Sequence, residues 1–257
     1  MEKQVKNIQS VHRALDILEY VINSGDGKKL SEITEHCSLN KTTAFHIIKT
    51  LEGRGYIEQS PDSLKYKTGG KLFTLSHNAY QKVNLNQICQ PHMERLVQAF
   101  NESVCLYHYA RIDRQIEGLC IYYLDSDNPV RISVSIGRWV PLYCTAVGKL
   151  YLSGLREDRL TEELATQSFE ALTQHTVRTC DELREQLVSV RRQGCCVERE
   201  EYEEGVVNIA VPIYKYSGRV IAAICITLPT QRATQELVQS MQEMMLPMSH
   251  ELSALPL

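Results

Sequence analysis

The residues whose side chains are best suited to bind another molecule are concentrated in a short segment between Asn40 and Lys49. Its apolar residues, which include Ala44 and Ile48, recur at helical spacing, and the remaining positions are mostly polar or basic. A helix with such an exposed side can place cations and hydroxyls against the phosphates and base edges of DNA. The residues that we predict to contact DNA on this helix are Asn40, Lys41, Thr42, Thr43, Phe45, His46 and Lys49.

A shorter amphipathic helix precedes this segment, with apolar residues from Leu30 to Cys37 on one face. Ser38-Leu39-Asn40 interrupts the period, so the pattern predicts a tight corner and a helix-turn-helix. Ser31 and Asn40 are residue types that cap helix N-termini. Two short helices with such a corner also occur in all-helical domains that bind no nucleic acid, and the helices alone leave that alternative open.

A β-hairpin is predicted directly after the second of these helices. Residues 56–58 and 64–67 alternate like strands, and a Ser-Pro-Asp-Ser turn lies between them. A helix-turn-helix followed by a basic hairpin is a winged helix, whose wing would carry Lys65 and Lys67 toward phosphates. The hairpin therefore favours DNA binding over the purely helical alternative.

A first helix, capped by Ser10, is predicted to complete a winged helix-turn-helix domain over residues 1–70. Glycine ends the third helix, at Gly53 or Gly55. The predicted apolar face of the first helix consists of Val11, Ala14, Leu15, Leu18, Val21 and Ile22.

Residues 71–257 are predicted to hold a linker helix, 71–82, and a second domain of mixed helices and strands. Further helices are expected at 85–100, before Gly154, at 156–165, at 181–193 and at 234–245, the last ended by Pro247. Strands are expected at 104–109, 116–124, 130–136, 195–199, 206–214 and 220–228. The fold class is therefore α+β, with an antiparallel sheet and flanking helices that can enclose a small ligand.

Composition and charge exclude several classes of protein. The sequence has no run of 18 apolar residues and no secretory leader pattern, so we expect a cytoplasmic protein without a membrane span. Its nine cysteines are irregularly spaced, which fits reduced thiols. Residues 1–82 carry a net charge of +3 and the remainder −6, so only the first part is expected to meet a polyanion.

Catalytic motifs are missing from the sequence. There is no nucleophile elbow, no HExxH and no dinucleotide fingerprint, so we predict neither an enzyme nor a cofactor. Gly148-Lys149 is not a phosphate-binding loop, because Tyr143 and Leu150 stand where that motif needs Gly and Ser or Thr. Lys149 is instead expected at the surface or in a subunit contact.

Short segments along nearly the whole chain match one protein family in order and spacing. They are Ser10-Val11 with Arg13-Ala14 and Ile17-Leu18; Leu30 to Ile33; Leu39 to Thr43 with Thr50-Leu51 and Gly55-Tyr56; Tyr66, Gly69 and Leu72; Pro141-Leu142 with Thr145-Ala146 and Gly148-Lys149; Arg191 with Gly194; and Glu201 and Gly205 with Ile209 to Pro212. In these segments the chain resembles the IclR-type transcriptional regulators. The resemblance implies an N-terminal winged helix-turn-helix and a C-terminal effector-binding domain with a GAF-like sheet, and Arg13 and Ser31 complete the predicted DNA-contacting set.

The recognition helix departs from the family pattern. Phe45-His46 stands where the family usually has His-Arg, and Asn40-Lys41-Thr42 where it usually has Pro-Lys-Ser. Losing the arginine removes a strong bidentate partner for guanine or phosphate. The operator sequence therefore cannot be copied from relatives.

An effector is expected at the start of the helix near Ala146. The amides of Ala146, Val147 and Gly148 suit a carboxylate, because a helix N-terminus favours anions. By resemblance, Glu198, Asn208, Cys225 and Thr227 lie opposite, and the last two share one face of a strand. The alternative to effector binding is that Cys225 and Thr227 only pack within the sheet and that the loop at residues 146–148 is a structural turn. Glu198 and Glu200 could also share a face and bind a divalent metal ion. The alternative is that this acidic segment is a solvated loop.

The predicted function is a DNA-binding transcriptional regulator controlled by a small organic acid. One recognition helix covers only a half-site, so we predict a homodimer or dimer of dimers on double-stranded DNA with a pseudo-palindromic operator. The alternative is a thiol-based redox or metal-responsive sensor, suggested by the nine cysteines and by Cys195-Cys196. Adjacent cysteines form a strained disulfide at best, which argues against it.

Overall fold

The computed structural model describes residues 8–82, 85–112 and 115–255. The chain divides into two compact units, 1–83 and 84–257. The helix predicted as a linker falls within the first unit, and the predicted domain boundary after residue 70 stays a prediction. Over the described ranges, no helix is both long and apolar enough to cross a membrane.

The first unit is a winged helix-turn-helix. Its elements are α1 (Gln9–Ile22), α2 (Leu30–His36), α3 (Lys41–Gly53), β1 (Ile57–Gln59), β2 (Tyr66–Thr68) and α4 (Gly70–Lys82). Strands β1 and β2 pair antiparallel and form the wing, residues 57–68. The core consists of Ile17, Val21, Ile33, Ala44, Ile48, Ile57 and Tyr66. The predicted helix-turn-helix and hairpin are thus confirmed.

The predicted face of α1 is wrong in part. Val11, Leu15 and Ile22 are exposed, whereas Ile17 and Val21 are buried. The helix carries two apolar stripes, and the one that includes Ile17 packs inward. An exposed apolar stripe therefore remains on this helix.

Two of the predicted helix caps are also wrong. Helix α1 begins at Gln9, so Ser10 lies within it, and α2 begins at Leu30, so Ser31 lies in its first turn. The capping role in α2 is taken by Glu32, whose carboxylate accepts a 2.8 Å hydrogen bond from the backbone N–H of Lys29. Gly55, at φ +76°, follows the C-terminus of α3 as predicted.

The second unit is a six-stranded antiparallel sheet with helices packed against it. Its helices are α5 (Leu85–Phe100), α6 (Ala146–Ser153), α7 (Glu157–Ala165), α8 (Cys180–Gln193) and α9 (Gln235–Ser253). Its strands are β3 (Ser103–Ile112), β4 (Gln115–Leu124), β5 (Trp139–Val140), β6 (Cys196–Arg199), β7 (Val206–Tyr214) and β8 (Val220–Pro229), in the spatial order β5-β4-β3-β8-β7-β6. Helices α6 and α8 pack together, as do α5 and α9, and β8 is buried almost throughout. The predicted α+β class is confirmed.

Two predicted elements of this unit are wrong. Residues 130–136 form no strand: Ile132 and Val134 turn inward while Val130 and Ile136 are exposed, and β5 pairs with β4 instead. Helix α9 continues through Pro247 to Ser253. A proline removes one helical hydrogen bond, but the packing of the buried residues beyond it maintains the helix.

Candidate DNA interface and effector cavity

Helix α3 begins where the sequence predicts, because Asn40 caps it. The Asn40 side-chain oxygen accepts a 2.8 Å hydrogen bond from the backbone N–H of Thr43, which satisfies one of the free amides of the first turn. Ala44 and Ile48 are fully buried and fix the inward face. The residues left on the outward face are Lys41, Thr42, Phe45, His46 and Lys49.

The outward face of α3 is less basic than its sequence suggests. Lys49 forms a 2.6 Å ion pair with Glu52 one turn later, and this contact raises the pKa of Lys49. The Lys49 ammonium also lies 5.7 Å from the centre of the Phe45 ring. A phosphate that binds Lys49 must therefore compete with the Glu52 carboxylate.

The other residues predicted to contact DNA lie at or near the surface of the first unit. Lys67 is exposed on the wing and Lys65 is half-buried, while Ser31 is exposed and Arg13 half-buried. Lys67 stands opposite Glu58 in the register of the hairpin. The wing therefore carries cations and a nearby carboxylate.

A cavity lies in the second unit between the start of α6, the sheet and the loop from 125 to 138. Its volume is about 40 Å³, which is room for about three waters at ~10–15 Å³ each. Five of the seven residues predicted to bind the effector line it: Ala146, Val147, Asn208, Cys225 and Thr227.

Gly148 does not offer its amide to this cavity, which corrects the prediction. Its N–H donates a 3.1 Å hydrogen bond to Thr145 Oγ1, the N-cap of α6. A Cβ at this position would overlap the backbone of Leu142. Glycine is required here because helix and loop backbones touch, and of the three residues predicted at the helix start Ala146 and Val147 line the cavity.

Glu198 also lies behind the cavity wall instead of in it. It is completely buried, and its carboxylate accepts 2.6 Å hydrogen bonds from Asn208 Nδ2 and from the backbone N–H of Glu201. Burial raises the pKa of Glu198, and these hydrogen bonds oppose that shift. The residue therefore positions Asn208, whose Oδ1 lies 3.7 Å from Cys225 Sγ.

Comparison with known proteins agrees with this architecture. The model of the IclR helix-turn-helix domain matches residues 10–61, and that of the bacterial transcriptional regulator IclR C-terminal domain matches residues 77–254. The chain belongs to the IclR family. It is a DNA-binding transcriptional regulator and not an enzyme, as the sequence predicts.

The relatives of this IclR-family chain extend over nearly its full length. The regulator KdgR of Escherichia coli is 30% identical over 256 residues, which cover 99% of this chain and 95% of KdgR. KdgR of Dickeya chrysanthemi is 32% identical over 238 residues, covering 92% and 76%. An IclR homologue from Microbacterium hydrocarbonoxydans, solved with 4-hydroxybenzoate, has a TM-score of 0.79 at 24% identity and covers 96% of this chain and 100% of its own.

The cavity of this IclR-family regulator also has lining residues that the sequence prediction missed. The clearest are Tyr107, Ile132, Val134, Arg138, Tyr202 and Glu203. Arg138 lies over the Tyr202 ring at 5.3 Å and 3.6 Å from a Glu203 oxygen. Tyr107 lies in the strand predicted at 104–109, and Ile132 and Val134 lie in the segment wrongly predicted as a strand. Arg138, Tyr202 and Glu203 lie in loops that no periodicity marks.

Lys149 is not a surface residue, contrary to the prediction. It is 2% exposed and forms an ion pair with Glu201, which is 8% exposed. The pair joins α6 to the turn between β6 and β7, the same turn that carries Tyr202 and Glu203. This buried ion pair thus links two walls of the cavity.

The acidic segment after β6 is neither a solvated loop throughout nor a metal site. Glu200 adopts φ +58°, so the strand alternation that placed it beside Glu198 ends there, and its carboxylate accepts a 2.8 Å hydrogen bond from the Gly205 N–H. Glu198 and Glu201 are buried. Within the part of the chain that the structure describes, no group of three or more His, Cys, Asp or Glu is placed to hold a metal ion.

The adjacent cysteines are poor candidates for a redox switch. Cys195 and Cys196 are free and buried, and burial raises the pKa of both, that of Cys196 to about 12. The thiolate is the reactive form of cysteine, so a high pKa disfavours oxidation at neutral pH. The thiol-sensor alternative stays a prediction, and this observation opposes it.

Proposed function

We propose that this regulator binds a compact organic acid in the cavity of its second unit, and that the acid changes its affinity for operator DNA. The observation that carries this proposal is the set of groups that converge on the cavity. Ala146 and Val147 lie at the N-terminus of α6, and the Arg138 guanidinium lies on the same cavity. Backbone amides, a helix dipole and a cation together favour a carboxylate.

The remaining lining gives the cavity an apolar part and a polar part. Ile132, Val134 and Val140 supply apolar surface, while Asn208 and Thr227 supply hydrogen-bonding groups. Such a mixture fits an acid with a short carbon skeleton and one further polar group. The ligand of the Microbacterium homologue, 4-hydroxybenzoate, is also a hydroxylated carboxylate. The present cavity, at about 40 Å³, is smaller than this ligand.

Calorimetry with a panel of two- to four-carbon acids and their matched amides tests the binding step. We expect heat from at least one acid and none from its amide. Arg138→Gln should weaken binding at least tenfold, whereas the exposed Arg156→Gln should leave it unchanged. Uniformly absent heat, or equal binding of an acid and its amide, would exclude a carboxylate effector.

The regulatory step is tested by measuring operator affinity with and without the acid. An effector can shift DNA affinity only by the ratio of its own affinities for the free and DNA-bound protein. We therefore expect the operator to change acid affinity by the same factor as the acid changes operator affinity. An acid that binds but leaves DNA affinity unchanged would be a ligand without a regulatory role.

We infer further that α3 enters the major groove and that two copies of the chain bind together. One α3 reads a half-site only. The first unit has an apolar groove lined by the exposed stripe of α1 and by α3; its apolar residues are Val11, Ala14, Leu15, Leu18, Ile47, Leu51 and Tyr56. A second copy of this surface would cover the groove by two-fold symmetry.

Sedimentation velocity distinguishes a dimer of this kind from a monomer. Leu15→Lys places a charge in the groove and should dissociate the dimer and weaken operator binding. Val188→Lys changes an exposed apolar residue on α8 and should do neither. If Leu15→Lys leaves the sedimentation coefficient unchanged, the groove is not the subunit contact.

A further inference from the structure

Phe45 occupies the centre of the exposed face of α3. Lys41 lies one turn before it and Lys49 one turn after it, with Thr42 and His46 on the same face. The phenyl ring is 41% exposed although the neighbouring Ala44 is completely buried. Transfer of an aromatic ring out of water lowers the free energy. The helix therefore presents a large apolar group where the rest of its surface is polar.

The surroundings of Phe45 fit nucleic acid as its partner. Its ring meets the His46 ring edge-on, with 6.1 Å between centres, and the Lys49 ammonium lies 5.7 Å from the ring. Lys41 adds a further exposed cation on this face. An apolar group flanked by lysines matches a polyanion better than it matches an apolar protein surface, because an apolar partner would desolvate the Lys41 ammonium without offering it a counter-charge.

We propose that Phe45 reads the methyl group of a thymine in each operator half-site. The edges of the bases in the major groove present hydrogen-bond donors and acceptors, and the C5-methyl of thymine is the apolar group among them. A phenyl ring can make no hydrogen bond to those edges, so contact with this methyl is the interaction through which it discriminates. The inference deepens the proposed placement of α3 in the major groove and depends on it.

The arginine of the family pattern corresponds to position 46, which is histidine in this chain. Arginine at this place would select guanine through O6 and N7. Phe45 offers no such donors, and the neighbouring Lys49 is held by Glu52 at 2.6 Å. Phe45 therefore discriminates thymine and not guanine.

Deoxyuridine substitution tests this proposal, because deoxyuridine has the hydrogen-bonding edge of thymidine without its methyl group. A binding duplex is first selected from random DNA with the full-length chain, and each thymine is then replaced in turn. We expect one thymine per half-site at which replacement weakens binding about fourfold, the effect of one buried methyl-sized group. Replacement of the other thymines should change the affinity less than twofold.

Variants then connect that thymine to Phe45. Phe45→Ala should bind the thymine and deoxyuridine duplexes equally, and Phe45→Leu should keep part of the preference. Lys41→Gln should weaken both duplexes together and keep the preference, because a lysine on phosphate carries no sequence information. Circular dichroism confirms folding, which we expect to be unaffected because Phe45 lies outside the core.

Two results would overturn the proposal: a wild-type protein indifferent to deoxyuridine at every thymine, or a Phe45→Ala variant with the full wild-type preference. A chain that enriches no duplex at all would instead refute the placement of α3 on DNA, and the thymine contact with it. Selection and substitution are separate steps, so the two failures are distinguishable.

Discussion

Lys149 and Glu201 form an ion pair inside the second unit, although they are 52 residues apart in the chain. Lys149 comes from the helix that begins at the cavity, and Glu201 from the turn that carries two residues of the opposite wall. Both side chains are almost removed from water. Each charge is therefore costly without the other.

Removing one member of this pair should be more damaging than removing both. We expect Lys149→Met to lower the free energy of unfolding by about 3–5 kcal/mol, because it leaves the Glu201 carboxylate buried and unpaired. The double variant Lys149→Met with Glu201→Leu should recover much of that loss. Urea unfolding followed by circular dichroism measures both variants. The exposed pair Arg156–Asp158 is the control, and Arg156→Met should cost less than about 1 kcal/mol. Additive losses in the double variant would contradict the coupling.

Glu198 should make stability depend on pH. Burial raises its pKa above the usual value of 4.5, so the folded state favours the protonated carboxyl more than the unfolded state does. The resulting stabilisation is complete below the unfolded pKa and is lost as pH rises through the folded pKa. We therefore expect the free energy of unfolding to fall across that window.

The Glu198→Gln variant should remove this part of the pH dependence, and urea titrations between pH 4.5 and 7 measure it. Glu243→Gln, at an exposed site of α9, should leave the wild-type profile unchanged. Parallel profiles for wild type and Glu198→Gln would show that the carboxyl has no raised pKa.

Gly148→Ala should disrupt the start of α6. The added methyl would overlap the Leu142 backbone, and overpacking of this kind costs about 1–3 kcal/mol. Acid binding should weaken as well, since Ala146 and Val147 would be displaced. Gly70→Ala in α4 meets no atom within 4 Å and should be neutral or stabilising. Thermal unfolding and calorimetry together measure both effects. Normal stability with normal acid binding in Gly148→Ala would contradict the close contact.

Glu52→Gln should strengthen DNA binding. The substitution frees the Lys49 ammonium, now 2.6 Å from the Glu52 carboxylate, and removes a negative charge from a surface that faces phosphates. We expect operator affinity to rise about threefold at low salt and to depend more steeply on salt. Fluorescence anisotropy at several salt concentrations measures both. Unchanged affinity would mean that Lys49 does not approach the DNA backbone.

Local patterns in the sequence were sufficient to predict the helices and strands that have a single periodicity or a strong cap. Helix α3 begins after Asn40 because that cap is a local interaction, and β7 spans the predicted residues because both its faces are apolar. Helix α1 was misjudged because it carries two apolar stripes, and only the positions of α2, α3 and the wing decide which one is buried. Residues 130–136 alternate like a strand, but β5 occupies the edge of β4 with which such a strand would pair.

The effector cavity was predictable only in part, for a related reason. Ala146 and Val147 could be recognised from the start of a helix. Cys225 and Thr227 were implied by the resemblance to the family, and their two-residue spacing added only that they share one face of a strand. Arg138 and Glu203 reach the cavity through loops, whose course no periodicity records. The burial of Lys149 depends on Glu201, which local sequence around the lysine does not reveal.

The contact between Gly148 and Leu142 has a mechanical consequence. Helix α6 rests on another stretch of main chain with no side chain between them, so there is no compressible layer to absorb a displacement. The start of α6 therefore cannot move toward Leu142 unless the main chain at that residue moves with it.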